Sequence, residues 1–152
     1  LTHGHFDHIM GLDDVLTEAP GTPVYIHPAD APLLSDPHKN GSPLIQTMYA
    51  FPGAVEMLDE GEQHIGPFSF SVLHVPGHTP GGCALLFGQT CISGDSVFAG
   101  SIGRSDLPGG NMEQLVHAIK TKILTLPDAT VLYPGHGGRT TVGREKRLNP
   151  FF

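Results

Sequence analysis

Two patterns in the chain predict an α/β protein in which helices cover the outer faces of stacked sheets, an αββα layering. From residue 54 onward, short alternating segments are separated by Gly and Pro, the signature of strands joined by tight turns. On either side of that stretch, apolar residues recur at helical spacing: Ile9, Leu12 and Leu16 near the start, then Leu115, Ile119, Ile123 and Leu126. The 152 residues suffice to bury a core, and 20 Gly with 14 Pro call for many turns and short strands. No repeat, low-complexity run or linker divides the chain, so one domain over residues 1–152 is expected.

Residues 8–18 are expected to form a helix that starts beside a histidine cluster and ends before Pro20-Gly21. Thr22–His27 reads as a short strand, residues 30–35 as a brief helix, and 36–43, rich in turn formers, as a loop. Residues 44–53 carry no clear period. Val55–Leu58, Glu62–Ile65 and Phe68–Val75 follow as strands; in the last, Phe68, Phe70, Val72 and His74 share one face. A two-residue turn at Gly88-Gln89 makes 83–93 a hairpin that pairs Phe87 with Thr90 and Leu86 with Cys91. Asn111, with Gln114 three residues on, caps the next helix. Thr130–Tyr133 is a strand, and a last helix, capped by Thr140 or Thr141, runs to about Arg147.

Composition narrows the function. A formal charge of −7 leaves no basic stripe for a phosphate backbone, so nucleic acid is not an expected partner. No apolar run approaches the roughly 20 residues that span a bilayer, so no membrane partner is expected either. Ten histidines against eight Lys plus Arg point instead at metal. The hairpin register puts Cys83 out of disulfide reach of Cys91, and two buried free thiols suit a reducing, cytoplasmic compartment. The first residue is Leu and lies inside the opening motif, which leads to the expectation of an N-terminally truncated domain.

That opening motif, Thr2-His3-Gly4-His5-Phe6-Asp7-His8, packs four metal-binding side chains into six residues. His3, His5 and Asp7 alternate, so an extended backbone points all three to one side; His8 breaks the alternation and requires a turn there. One ion rarely takes four ligands from so short a stretch, whereas two adjacent ions can. His78 in Pro76-Gly77-His78-Thr79-Pro80-Gly81, Asp95 in Gly94-Asp95-Ser96 and His136 in Pro134-Gly135-His136-Gly137 each sit on a glycine-flanked loop just past a strand. His74, two residues before Pro76, is placed to brace the His78 loop, His27 reads as structural, and His38, His64 and His117 as solvated.

The ordered set resembles the metallo-β-lactamase superfamily. Within it, the run from Gly94 through Arg104 to Gly110 and the run Thr140–Phe151 resemble the glyoxalase II-like branch. The resemblance implies the four-layered αββα fold of that family, with strands of the first sheet preceding Leu1. It implies two divalent metal ions, zinc first with iron or manganese as alternatives. His3, His5 and His78 would hold one, Asp7, His8 and His136 the other, and Asp95 would bridge them. A hydroxide between the ions would attack a small-molecule acyl thioester such as an hydroxyacyl-glutathione, with Asp7 orienting it and passing a proton to the leaving group. Arg104 occupies a position that can contact glutathione in that branch; a salt bridge to Asp106 or another loop carboxylate is the competing role. The sequence ends at Phe152, which leads to the expectation that the helical domain that helps glyoxalase II grip glutathione is lacking.

Three other activities share the motif. A mononuclear iron persulfide dioxygenase is the runner-up, although that branch often has alanine before its last histidine where this chain has Gly135. A lactonase or β-lactamase activity fits the same metal core, because fold and site do not fix the substrate. An RNA-processing nuclease is disfavoured by the acidic balance.

Overall fold

The computed structural model describes residues 1–152. A short α1 (Phe6–Ile9) and α2 (Leu12–Glu18) precede β1 (Tyr25–Ile26), and α3 (Ala31–Leu34) and α4 (Pro37–Asn40) precede β2 (Glu56–Met57). Then come β3 (Gly61–Ile65), β4 (Phe68–His74), β5 (Cys83–Phe87), β6 (Thr90–Gly94), β7 (Val97–Phe98) and β8 (Ser101–Ile102). Helix α5 (Met112–Ala118) runs on into a wider π-type turn (Ile119–Ile123), followed by β9 (Val131–Pro134), β10 (Thr140–Thr141) and α6 (Val142–Leu148).

One six-stranded sheet, in the order β10-β9-β6-β5-β4-β3, carries the architecture, while β1 and β2 form a separate parallel pair. Three apolar clusters separate four layers. Ile9, Val24, Ile26, Leu34 and Phe51, with Leu12 and Leu16, seal the first helices against the β1–β2 pair. Leu58, Val72 and Cys83, with Tyr25, Phe70 and Leu85, fill the gap between that pair and the large sheet. Beyond it, Ala84, Cys91 and Leu132 meet Leu115, Ile119 and Ile123 of α5 and its extension. The layering is αββα. Burying a Leu or Ile side chain stabilises by about 1.5–3 kcal/mol, so three fully buried ones hold this short helix that propensity alone would not.

Strand direction gathers the loops. All neighbours in the large sheet are antiparallel except β6 and β9, which are parallel. Two antiparallel steps separate β4 from β6, so β4, β6 and β9 point the same way and end at one edge of the sheet. His78, Asp95 and His136 follow those three ends.

Several boundaries differ from the sequence reading. The helix expected over 8–18 is two helices broken at Met10-Gly11, because Gly11 is a poor helix former. The loop expected over 36–43 contains α4, whose turn formers serve as helix punctuation. The Asp36 carboxylate accepts from His38 N at 3.0 Å, Pro37 opens the helix and Gly41 closes it in the left-handed region. The strand expected over Thr22–His27 shortens to Tyr25–Ile26, since only that pair meets β2 in register. The hairpin pairs as its turn predicted, Phe87 with Thr90 and Leu86 with Cys91.

Cys83 and Cys91 are free and buried, and burial pushes both thiols up to about 12. A thiol reagent needs the thiolate and access to it. Both cysteines should therefore be silent toward an aromatic disulfide reagent at pH 8 until denaturant unfolds the chain, when two equivalents react. Fast reaction of either in the native protein would show that this part of the core is open.

Candidate metal centre

The opening motif is extended only as far as His5, whose ψ of 152° is still that of extended backbone; α1 begins at the next residue. The turn thus comes two residues before its expected place at His8. His3 and His5 reach the cavity from extended backbone, while Asp7 and His8 reach it from the first turn of α1, where His8 N donates to His5 O at 3.0 Å. This arrangement aims the two pairs from different directions. The main chain of Thr2 is tied to the large sheet, its carbonyl accepting from Cys83 N at 2.8 Å.

Gly77 lets the His78 loop close. Its φ of +127° lies outside ordinary L-residue geometry, and a Cβ there would run into the backbone of Leu115 in α5. Past it, His78 Nδ1 donates to the Arg104 carbonyl at 2.6 Å, so the tautomer leaves the Nε2 lone pair facing the cavity. His74 Nε2 donates to the Pro80 carbonyl at 2.9 Å and stacks on His27 with ring centroids 4.1 Å apart. The bracing role expected for His74 is what its contacts describe.

All seven side chains converge. His3, His5 and His78 form one trio of ligand atoms within 4.8 Å of one another, Asp7, His8 and His136 another, and His3, His8 and Asp95 a third that overlaps both. His5 Nδ1 and His78 Nε2 lie 2.8 Å apart. Asp95 sits between the first two trios, with Oδ1 3.3 Å from His8 Nε2 and Oδ2 3.3 Å from His136 Nε2 and 3.5 Å from His78 Nε2. Asp7 Oδ2 lies 3.1 Å from His136 Nε2. The His3, His5 and His78 trio is buried, whereas His136 and Asp7 open to solvent, with side chains 56 % and 34 % exposed.

The electrostatics suit a cation. Burial first, then the neighbouring imidazoles, holds the His3 pKa well below its ordinary value, and burial with His78 brings His5 down to about 4. Both rings are therefore neutral at pH 7, with lone pairs free. Burial pushes the Asp95 carboxyl up, but the His8, His78 and His136 imidazoles outweigh it and keep the carboxyl below the usual range. His3 Nε2, His5 Nε2 and Asp95 Oδ1 are buried and lack any hydrogen-bond partner. Buried polar atoms are rarely left so, and three in one cavity fit the residues to a bound metal.

A cavity of about 520 Å³ opens over the cluster, walled by Phe6, Leu44, Phe98, Ile102 and Leu107. Arg104 stands at its rim, but its guanidinium makes a two-pronged pair with Asp106, both bonds 2.7 Å. Sequence reasoning missed one residue here. Asp30 is fully buried and bonds to both histidine-bearing segments, yet no motif surrounds it.

Comparison with known proteins agrees with this geometry. Residues 1–136 match the family profile described as the metallo-beta-lactamase superfamily. The chain is 43 % identical over 155 residues to the probable metallo-hydrolase YqgX of Bacillus subtilis, covering 99 % of this chain and 73 % of that one. It is 36 % identical over 156 residues to the hydroxyacylglutathione hydrolase GloC of Haemophilus influenzae, with 99 % and 73 % covered. Among solved structures, BLEG-1 B3 metallo-beta-lactamase superposes with a TM-score of 0.93 at 42 % identity, covering 99 % of this chain and 74 % of that one. TTHA1623, solved in a di-iron-bound form, superposes at 0.85 and 42 % identity, with 100 % and 75 % covered. The chain belongs to the metallo-β-lactamase superfamily.

Proposed function

We propose that the chain is a metal-dependent hydrolase that binds two divalent cations and cleaves a small-molecule acyl thioester, an hydroxyacyl-glutathione being the leading candidate. The observation that carries the reading is Asp95, whose Oδ1 lies 3.3 Å from His8 of the open trio and whose Oδ2 lies 3.5 Å from His78 of the closed one. His3, His5 and His78 would hold one cation, Asp7, His8 and His136 the second, with Asp95 between them. Zinc is the first choice for such imidazole-rich sites, and iron or manganese remain compatible with the donors. Two cations so held supply Lewis acidity and a nucleophilic water at neutral pH. The thioester assignment draws support from the likeness to GloC.

The residues themselves divide the work. Neutral His3 and His5 fix the closed end of the cavity without competing protons. Asp7, whose side chain is partly exposed, would accept a proton from the attacking water and deliver it toward the leaving sulfur. Phe6, Phe98 and Leu107 exclude bulk water from the acyl group. Arg104 is proposed to hold a carboxylate of the thiol portion, which would displace Asp106 from an exposed pair that solvent already weakens. Arg104→Ala is then expected to raise KM for a glutathione thioester several-fold while leaving kcat, and the hydrolysis of an uncharged thioester, unchanged. Equal effects on both substrates would remove Arg104 from substrate binding.

The deciding experiment is metal analysis of the purified protein beside a panel of thioester, lactone and β-lactam substrates. Two metals per chain with thioester turnover is the expected result. One iron per chain with oxygen uptake on a persulfide, or turnover of the β-lactam alone, would overturn it. The likeness to BLEG-1 makes the β-lactam arm necessary.

A further inference from the structure

We propose that Asp30 is a positioning residue for the buried half of the metal centre, a single carboxylate that clamps its two histidine-bearing segments to each other. The inference rests on the metal reading above. Asp30 Oδ2 accepts from Gly4 N at 2.9 Å and from Thr79 Oγ1 at 2.7 Å, and Oδ1 accepts from Gly81 N at 2.6 Å. Gly4 is the residue between His3 and His5; Thr79 follows His78 directly. One side chain therefore fixes the main chain beside all three imidazoles of the closed trio, from a segment that contributes no ligand.

Local structure alone does not account for this use of the carboxylate. Asp30 stands at the N-cap position of α3, where an aspartate ordinarily accepts from the first amides of its own helix, yet it makes no such bond. It is turned inward and wholly buried, and no Lys, Arg or His pairs with it. A buried, unpaired carboxylate is costly unless its oxygens are well hydrogen-bonded, and all three bonds it makes go to the ligand segments. The packing is correspondingly tight. A Cβ at Gly81 would lie 2.7 Å from Asp30 N and 2.8 Å from its Cβ, and a Cβ at Gly4 would lie 2.7 Å from Leu33 Cβ. Both loops come as close to the turn before α3 as their backbones allow.

The physical demand is convergence. His5 and His78 lie 73 positions apart in the chain, and three lone pairs must meet at about 2.0–2.1 Å from one ion. Groups that orient metal ligands from outside typically set affinity by 10- to 100-fold, and Asp30 reaches them through backbone and hydroxyl rather than through the rings.

The test uses the apo-protein, cobalt(II) and three proteins: wild type, Asp30→Asn and Thr79→Val. Cobalt affinity is measured by competition with a chelator, ligand geometry by the visible d–d spectrum, and the fold by the thermal melt without metal. Asp30→Asn keeps the shape but turns an amide donor toward one of three donors. It is expected to weaken the tighter cobalt site about 10- to 100-fold and to shift its d–d bands. Thr79→Val, which removes one bond of three, should do the same by a smaller factor and keeps the proposal testable where Asp30→Asn folds poorly. Lowered melting with unchanged cobalt affinity and spectrum in both variants would make Asp30 a purely structural residue. Wild type that binds no cobalt would instead sink the metal reading itself.

Discussion

Asp95→Ala should abolish thioester hydrolysis and lower total metal content, a larger loss than any single histidine replacement causes. Asp95 lies against both trios, 3.3 Å from His8 and from His136 of the open one and 3.5 Å from His78 of the closed one. Removing it deletes the one negative charge placed between two dications, whose mutual repulsion in a cavity of reduced dielectric then goes unscreened. It also leaves the three imidazoles of His8, His78 and His136 without their common partner. His8→Ala is the informative contrast. His8 touches the open trio and packs on His3 at a ring distance of 4.0 Å, but it is not part of the His3, His5 and His78 group. That variant should keep close to one metal per chain and lose the other. Metal stoichiometry beside hydrolysis rate distinguishes the two variants. Two metals and near-normal turnover in Asp95→Ala would show that Asp95 bridges nothing.

The residues of this site were legible in the sequence to different degrees, for reasons the structure explains. His78, Asp95 and His136 stood out because each follows a strand, and β4, β6 and β9 end at one edge. Their convergence is a consequence of strand direction that motif spacing encodes indirectly. The four ligand side chains from His3 to His8 were equally plain, but the onset of α1 was not. A helix of four residues gives periodicity too little length to register, so the turn was placed two residues late. Helix α4 was hidden for the same reason, its Asp, Pro and Gly reading as loop. Asp30 was illegible in a stronger sense. An aspartate before a short helix looks like a cap, and only tertiary packing reveals that its bonds go to Gly4, Thr79 and Gly81. The Arg104 position was flagged by resemblance, and opposite charge nearby offered Asp106 or another loop carboxylate as its partner; the structure selects Asp106.

Gly135 carries the second large effect, and Gly135→Ala is expected to turn a two-metal protein into a one-metal protein. A methyl group built on Gly135 would fall well inside contact distance of Asp95 Oδ1, and would sit 2.6 Å from His8 Cε1 and 3.2 Å from His8 Nε2. Neither neighbour has room to retreat. The Asp95 main chain is pressed against Gly103, where any Cβ would overlap its carbonyl, and the His8 ring already lies against His3. The methyl therefore displaces the groups that face the open trio, while His3, His5 and His78 on the closed side stay in place. Displacing a reacting centre by about 1 Å typically costs 100-fold in rate, and loss of a cation costs more, so hydrolysis should fall at least about 100-fold. Gly138→Ala is the control, because a Cβ there meets nothing within 4 Å and should leave metal content and rate unchanged. On the proposed two-metal reading, the absent side chain at Gly135 is what leaves room for Asp95 and His8 side by side. Metal analysis of Gly135→Ala that still finds two ions per chain, with turnover matching Gly138→Ala, would mean that the cavity yields more readily than its packing implies, and the steric argument would fall.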